Sequence, residues 1–225
     1  MDDLTYESNP DAAFKRLLRS PRLPYIVEQF QVVLEDEHAR RERFYDEMTE
    51  TEKTEFINGE VIVQSPVKLQ HSEASDNLFT LLSTYVKKNK LGMVRHEKIL
   101  ITLTRNDYEP DICFFSQEKA RRFHPDLMKF PAPDMIVEIL SPSTEKMDRG
   151  IKFEDYAAHG VGEYWLVDPE RESIEQYMLE NETYDLLVKV NQGMIHSTAI
   201  EGFEMAVRAI FDDQEYLKAL EEFSR

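Results

Sequence analysis

The stretches Tyr108–Phe115, YEPDICFF, and Ala132–Thr144, APDMIVEILSPST, decide how this chain reads. Each is a short apolar run of β-branched and aromatic residues bounded by Pro or Ser, the pattern of a buried strand. Each also carries a carboxylate. Asp111 sits between Pro110 and the run Ile112, Cys113, Phe114, Phe115, and Glu138 sits inside Met135, Ile136, Val137, Ile139, Leu140. Acidic side chains are almost never fully buried unless paired or bound to a cation. Two of them in neighbouring buried strands point to a shared partner, and a divalent metal held by Asp111 and Glu138 is the economical one. The alternative at this point is that each acid pairs separately with an Arg or Lys, or sits at a solvated strand end.

Just downstream lies SPSTEKMDRGIKFEDYAAHG, residues 141–160. Pro142 with Ser141, Ser143 and Thr144 makes a turn that ends the strand and supplies N-cap candidates. The spacing predicts one helix from about Glu145 to His159, stopped by Gly160. On it Asp148, Lys152 and Tyr156 recur at i, i+4 and i+8 and share one face. Asp148 with Lys152 alone would be an ordinary surface ion pair, worth a few tenths of a kcal/mol. Beside Glu138 they become candidate site residues, with Asp148 orienting Lys152 and Tyr156 contacting phosphate or packing. A Lys at Leu140 would complete the Glu-x-Lys of metal-dependent nucleases. It is absent, but Lys152 can reach back to the same place from the next helix.

The run PD…VEILSPST…DRGIKFEDYAAHGVGEYWLVDP resembles the restriction endonuclease family of Uma-two type within the PD-(D/E)XK nuclease superfamily, over roughly Glu55 to Phe211. The resemblance implies that the acid after Pro (Asp111) and the Glu before the Ser-Pro-Ser turn (Glu138) are metal ligands. It also implies that the active-site Lys has moved from strand to helix, where Lys152 stands.

Composition bounds the function. At 225 residues the chain is long enough for one sizeable core. No apolar run is long enough to span a membrane, and the start MDDLTYESNPD is acidic and polar, unlike a signal peptide. The single Cys113 reads as a core residue, and one Cys fits a reducing, cytoplasmic setting. The formal net charge of −17 works against loose binding to nucleic acid, which rests on phosphate contacts. Residues 68–160 are neutral, with 14 basic and 14 acidic side chains, so the flanks hold the whole deficit. A locally positive groove therefore remains compatible with the composition.

Residues 1 to about 50 read as a helical extension, with Ile26, Phe30, Val33, Leu34, Phe44, Tyr45 and Met48 at helical spacing, interrupted by EDEHARRER. Its stripe must be buried on the core or on a second subunit, which suggests a homodimer. Glu35, Asp36 and Glu37 read as a solvated face. Residues 51–225 form the second region. Asn58-Gly59 marks a hairpin, flanked by Glu55 and Glu60 as exposed strand-end acids. A helix from about Lys68 to Asn89 buries Ala74, Leu78, Leu81, Leu82 and Tyr85. His71, at its N-terminal end, reads as a core residue or as a group pointing into the cleft beside Asp111; Glu73 lies on another face. MVRHEKILITL (Met93–Leu103) reads as one strand, with His96 and Glu97 at the surface. SQEKARRFHPDLMKF carries Lys119, Arg121, Arg122, His124 and Lys129, either as a phosphate contact or as a solvated helix-loop. EYWLVDP is a strand, followed by SIEQYMLE, TYDLLVKV and MIHSTAI as an antiparallel extension, and AIFDDQEYLKALEEF as an amphipathic helix.

The central order is helix, strand, strand, strand, helix, strand, which is the PD-(D/E)XK core. The expected fold is α/β, with a mixed central sheet flanked by helices. The expected activity is endonucleolytic hydrolysis of phosphodiesters, in DNA first, with Mg²⁺ or Mn²⁺ on Asp111 and Glu138 and with Lys152 as the active-site lysine. His71, Asp148 and Tyr156 complete the candidate set. Two rivals are a catalytically degenerate interaction module and a hydrolase of RNA or a smaller phosphodiester.

Overall fold

The structure, a computed structural model, describes residues 10–49 and 52–225. The acidic start read in residues 1–9 lies outside the described residues. The chain divides into two compact units. No helix among the described residues is long and apolar enough to cross a membrane.

The first unit contains helices α1 (Pro10–Leu18) and α2 (Leu23–Glu47) and groups with the turn Asn58–Glu60. Helix α2 carries Pro24 in its first turn and runs unbroken through EDEHARRER, whose residues are mostly good helix formers. The charge run does not interrupt it. The solvated face expected over Glu35, Asp36 and Glu37 holds for only two of the three. Glu35 and Asp36 are exposed, but Glu37 is buried, because it lies two turns before the buried Phe44 and shares its face.

The second unit begins with strands β1 (Thr54–Ile57) and β2 (Glu60–Val63). Asn58 and Gly59, at φ 50° and 83°, make the turn between them. Helix α3 (Leu69–Asn89) follows, then β3 (Gly92–His96), β4 (Leu100–Thr102), β5 (Asp107–Tyr108) and β6 (Ile112–Ser116). The single strand expected over Met93–Leu103 is in fact β3 and β4, which belong to different sheets. Glu97 and Lys98, at φ 38° and 54°, turn the chain between them. His96 is half-buried and stacks on Phe79, with ring centroids 3.8 Å apart.

Next come α4 (Gln117–Ala120), β7 (Lys129–Phe130), β8 (Met135–Ile139), α5 (Glu145–Asp148), α6 (Ile151–Ala158) and β9 (Glu163–Asp168). Strands β10 (Ser173–Glu180), β11 (Thr183–Val190), β12 (Met194–His196) and β13 (Glu204–Ala206) precede a 3-10 turn at Val207–Ile210 and the closing helix α7 (Asp213–Ser224). Asp212 caps α7 by accepting from Gln214 N and Glu215 N. MIHSTAI does not extend the antiparallel run: β12 pairs with β13 in a sheet of their own.

The main sheet has the order β11-β10-β9-β8-β6-β3, with β8–β9 parallel and its other neighbours antiparallel. A second, five-stranded sheet runs β2-β1-β5-β4-β7. The fold is mixed α/β with helices flanking the sheets. Strand alternation sends Ile112, Phe114, Val137 and Val167 into one core with Leu78 and Leu81 of α3. The opposite face sends Cys113, Ile136 and Leu166 toward Tyr156 and Ala157 of α6. Asp111 and Glu138 share the parity of Cys113 and Ile136, so they face α6. The antiparallel register, with Ile112 opposite Val137, sets the two carboxylates across from one another.

The helix expected over 145–159 is broken into α5 and α6 at Arg149-Gly150. Gly150 adopts φ −118°, ψ −105°, and a Cβ there would stand 2.8 Å from Lys146 O. Only glycine lets the chain turn so closely.

Candidate functional site

The six residues singled out in sequence gather at one end of the sheet, five of them (Asp111, Glu138, Asp148, Lys152 and His71) lining a cavity of about 230 Å³ and Tyr156 joined to it through its hydrogen bond to Glu138. Asp111 comes from the turn entering β6. Its Oδ2 accepts Ile139 N at 2.8 Å, and Lys53 Nζ donates to its Oδ1 at 2.6 Å. Glu138, on β8, accepts at Oε1 from Tyr156 OH at 3.0 Å and Lys152 Nζ at 3.1 Å. Asp111 N points at Glu138 Oε2 over 3.4 Å.

Lys152 is the hub. It is 1% exposed, and its Nζ lies 2.9 Å from Glu55 Oε1, 3.1 Å from Glu138 Oε1 and 3.3 Å from Asp148 Oδ1. Helix α6 presents it because Lys152 and Tyr156 are one turn apart on the face turned to the sheet, and both are buried. The Asp148–Lys152 contact is therefore a buried pair spanning the α5–α6 break.

Two further residues belong to the constellation. Glu55, expected at an exposed strand end, is completely buried. Its Oε1 accepts Glu109 N at 3.0 Å as well as facing Lys152, while its Oε2 has no hydrogen-bond partner. The signal was present: Glu55 precedes Phe56 and Ile57, a carboxylate in an apolar strand like the other two. No sequence pattern marks Lys53, which stands two residues before Glu55, on the same side of an extended segment.

His71 is buried, with Nε2 3.7 Å from Asp111 Oδ2 and Nδ1 unpartnered. It reaches the cavity from the first turn of α3. Glu73 is exposed and lines a separate depression with Asn77 and Pro169. In the basic stretch, Lys119 is held by Asp134 at 3.0 Å and Ala132 O at 2.9 Å, while Arg121, Arg122 and His124 are exposed.

Electrostatics follow from burial and neighbours. Burial pushes Glu138 up to about 8 despite Lys152, and the charges of Asp148 and Asp111 add to the rise. Burial raises Asp148 as well, against the pull of Lys152. Asp111 goes the other way: Lys53 and His71 outweigh its burial and hold it well below the usual carboxylate range. Burial opposes the charges of Lys53 and Lys152, but the surrounding carboxylates more than restore them.

Each acid therefore has a lysine of its own chain as a partner, yet the acids outnumber the lysines. Four carboxylates (Glu55, Asp111, Glu138, Asp148) against two ammonium groups (Lys53, Lys152) would leave two negative charges if all were ionised. Protons or a divalent cation can supply the balance. Among the described residues no group of three or more His, Cys, Asp or Glu side chains forms a metal cage. The donor set instead suits a hard cation that takes two carboxylates and keeps most of its water, which is the habit of Mg²⁺.

Comparison with known proteins places the chain. Residues 37–208 match the model of the Uma2 family, described as "Putative restriction endonuclease". The uncharacterized protein slr1290 of Synechocystis sp. is 30% identical over 144 residues, covering 63% of this chain and 74% of that protein. A second uncharacterized protein from the same organism, sll1609, is 27% identical over 142 residues, covering 62% of this chain and 80% of its own length. Among solved structures, a nuclease described as putative and belonging to DUF820, from Anabaena variabilis, superposes with a TM-score of 0.60 at 18% identity. The match covers 74% of this chain and 90% of that one.

Proposed function

The chain belongs to the Uma2 family of putative restriction endonucleases, and from that premise we propose that it is a metal-dependent endonuclease hydrolysing phosphodiesters, with DNA as its substrate. The observation that carries this reading is the placement of two carboxylates, Asp111 and Glu138, across from one another at one cavity, in a cluster where four acids share two lysines. On this reading those two residues hold Mg²⁺ or Mn²⁺. When bound, the ion supplies an activated water and neutralises charge on the attacked phosphate.

The chain's own residues do the rest. Lys152, kept charged by Glu138, Glu55 and Asp148, faces the charge that develops on phosphate. Tyr156 fixes the orientation of Glu138 through Oε1, and Ile139 N fixes Asp111 through Oδ2. Asp148 holds Lys152 from the neighbouring helix. His71, which lines the cavity with Nε2 turned to Asp111, would hydrogen-bond phosphate or carry a proton. Ser141, Ser143 and Thr144 line the same cavity and offer hydroxyls to phosphate oxygens.

The lysine partner already on each acid, together with the −17 net charge, favours a second reading, a nuclease fold serving as an interaction module. One assay separates the two. Duplex DNA, single-stranded DNA and RNA are incubated with wild type, Asp111→Asn, Glu138→Gln and Lys152→Met, with and without Mg²⁺ or Mn²⁺. The proposal expects metal-dependent cleavage that falls by about a hundredfold or more in each variant. A folded wild type that cleaves none of the three with either metal would leave the interaction module as the better account.

A further inference from the structure

The N-terminal half of α2 carries an apolar stripe that the fold leaves open. Leu23, Ile26, Val27, Phe30, Val33 and Leu34 lie on one side of the helix with heptad spacing. Val27, Phe30, Val33 and Leu34 are 44%, 58%, 48% and 52% exposed. Phe14 and Leu18 of α1 are exposed as well, and a contiguous exposed apolar stripe such as that of α2 marks an interaction surface. The family match begins at residue 37, so this stripe lies outside the segment the family shares.

We propose that the stripe pairs with that of a second copy of this chain, as two antiparallel α2 helices about a two-fold axis near Glu28. The charge pattern selects both the occupant and the direction. Arg22, Gln29 and Asp36 recur every seven residues along one edge of the stripe. In an antiparallel pair each edge faces its own counterpart, which sets Arg22 of each copy against Asp36 of the other, with Gln29 facing Gln29 between them. Asp36 is exposed and sits 2.7 Å from Arg40 of its own helix, so the arriving Arg22 completes a three-member charge cluster. The same axis layers Leu23 on Val33 and Ile26 on Phe30, each twice. Glu28 and Glu35 point away from the seam and stay in water.

A parallel pair would instead set Arg22 and Gln29 against the apolar edge formed by Val27 and Leu34, stranding the charge. An anionic membrane could take an apolar stripe beside Lys15, Arg16, Arg19 and Arg22, but the chain's net charge of −17 opposes it. The self-complementary edge has no role in either arrangement.

Sedimentation equilibrium of the full chain tests the proposal, with circular dichroism to confirm that each variant stays folded. Wild type is expected to be dimeric. Phe30→Asp should weaken association by about tenfold or more. Arg22→Asp should weaken it as well, and Arg22→Asp combined with Asp36→Arg should restore it, since the swapped charges meet again across the axis. A monomeric wild type overturns the proposal, as does a dimer indifferent to Phe30→Asp. Failure of the charge swap to restore association overturns the antiparallel arrangement. Binding of a monomer to phosphatidylserine vesicles would assign the stripe to a lipid surface instead.

Discussion

Lys152 Nζ lies 2.9 Å from Glu55 Oε1, and neither side chain is more than 1% exposed. This pair joins α6 to β1, and Lys152 has two more carboxylates within 3.3 Å. A buried cation shared by three acids is a structural commitment as well as a chemical one. Removing it leaves those acids to repel in a medium that solvates them poorly.

Lys152→Met should therefore destabilise the metal-free protein by about 3–5 kcal/mol. Removing Glu55 at the same time, as Glu55→Gln with Lys152→Met, should cost less than the sum of the single changes, because the repulsion goes with it. Urea unfolding of the four proteins measures both quantities.

Cation binding should depend on pH through Glu138. With its carboxyl raised to about 8, the metal-free fold holds a proton there that an incoming cation must displace. Affinity for Mn²⁺ should rise with pH by up to about tenfold per unit and level off above about 8. Stability of the metal-free protein runs in the opposite sense. Between the ordinary value of 4.5 and about 8 the native state binds more protons than the unfolded chain, so this group's contribution falls as pH rises. Calorimetry and unfolding on either side of that window check the two signs.

The acid limb of stability should carry the mark of Glu175. Arg149 donates to both its carboxylate oxygens, at 2.7 and 3.0 Å, and outweighs the cost of burial to lower it to about 2. Because the folded value is depressed, its stabilisation is present above the unfolded value of 4.5 and is lost as pH falls toward about 2. Glu175→Gln should flatten the pH dependence of unfolding in that window and leave the dependence above it unchanged.

Glu163 should prove a stability residue with no part in the site. Its buried carboxylate accepts from Trp165 Nε1 and Gln176 Nε2 at one oxygen, and from Ser197 Oγ, Thr198 N, Thr198 Oγ1 and Ala199 N at the other. Glu163→Ala strands these donors and should cost about 3 kcal/mol or more. Thermal unfolding measures the loss, and metal binding by the folded fraction should be unchanged.

The fold was legible wherever local pattern and tertiary packing agree. Asp111 and Glu138 announced themselves as charges inside apolar runs, and period-2 parity sends both to the side of α6. Asp148, Lys152 and Tyr156 followed from helical spacing, although one helix was expected where Gly150 makes two. The backbone's close approach to Lys146 O is a tertiary fact with no periodic signature. Glu55 was misplaced because its hairpin reads as an exposed edge, and only β5 on its far side, with Glu109 N donating to it, buries it. Lys53 was passed over because a lone Lys before a strand is normally solvated; what recruits it is Asp111, 58 positions away. Glu97 and Lys98 split one apparent strand into two sheets through positive φ, which their side chains do not advertise.

The most direct test of the account is Mn²⁺ titration calorimetry on wild type, Asp111→Ala and Glu138→Ala, each alone and with a short DNA duplex present. Wild type should bind the ion and both variants should lose binding, with folding retained. No heat of binding from a folded wild type, with or without the duplex, would contradict the paired-carboxylate cation site and the nuclease mechanism built on it.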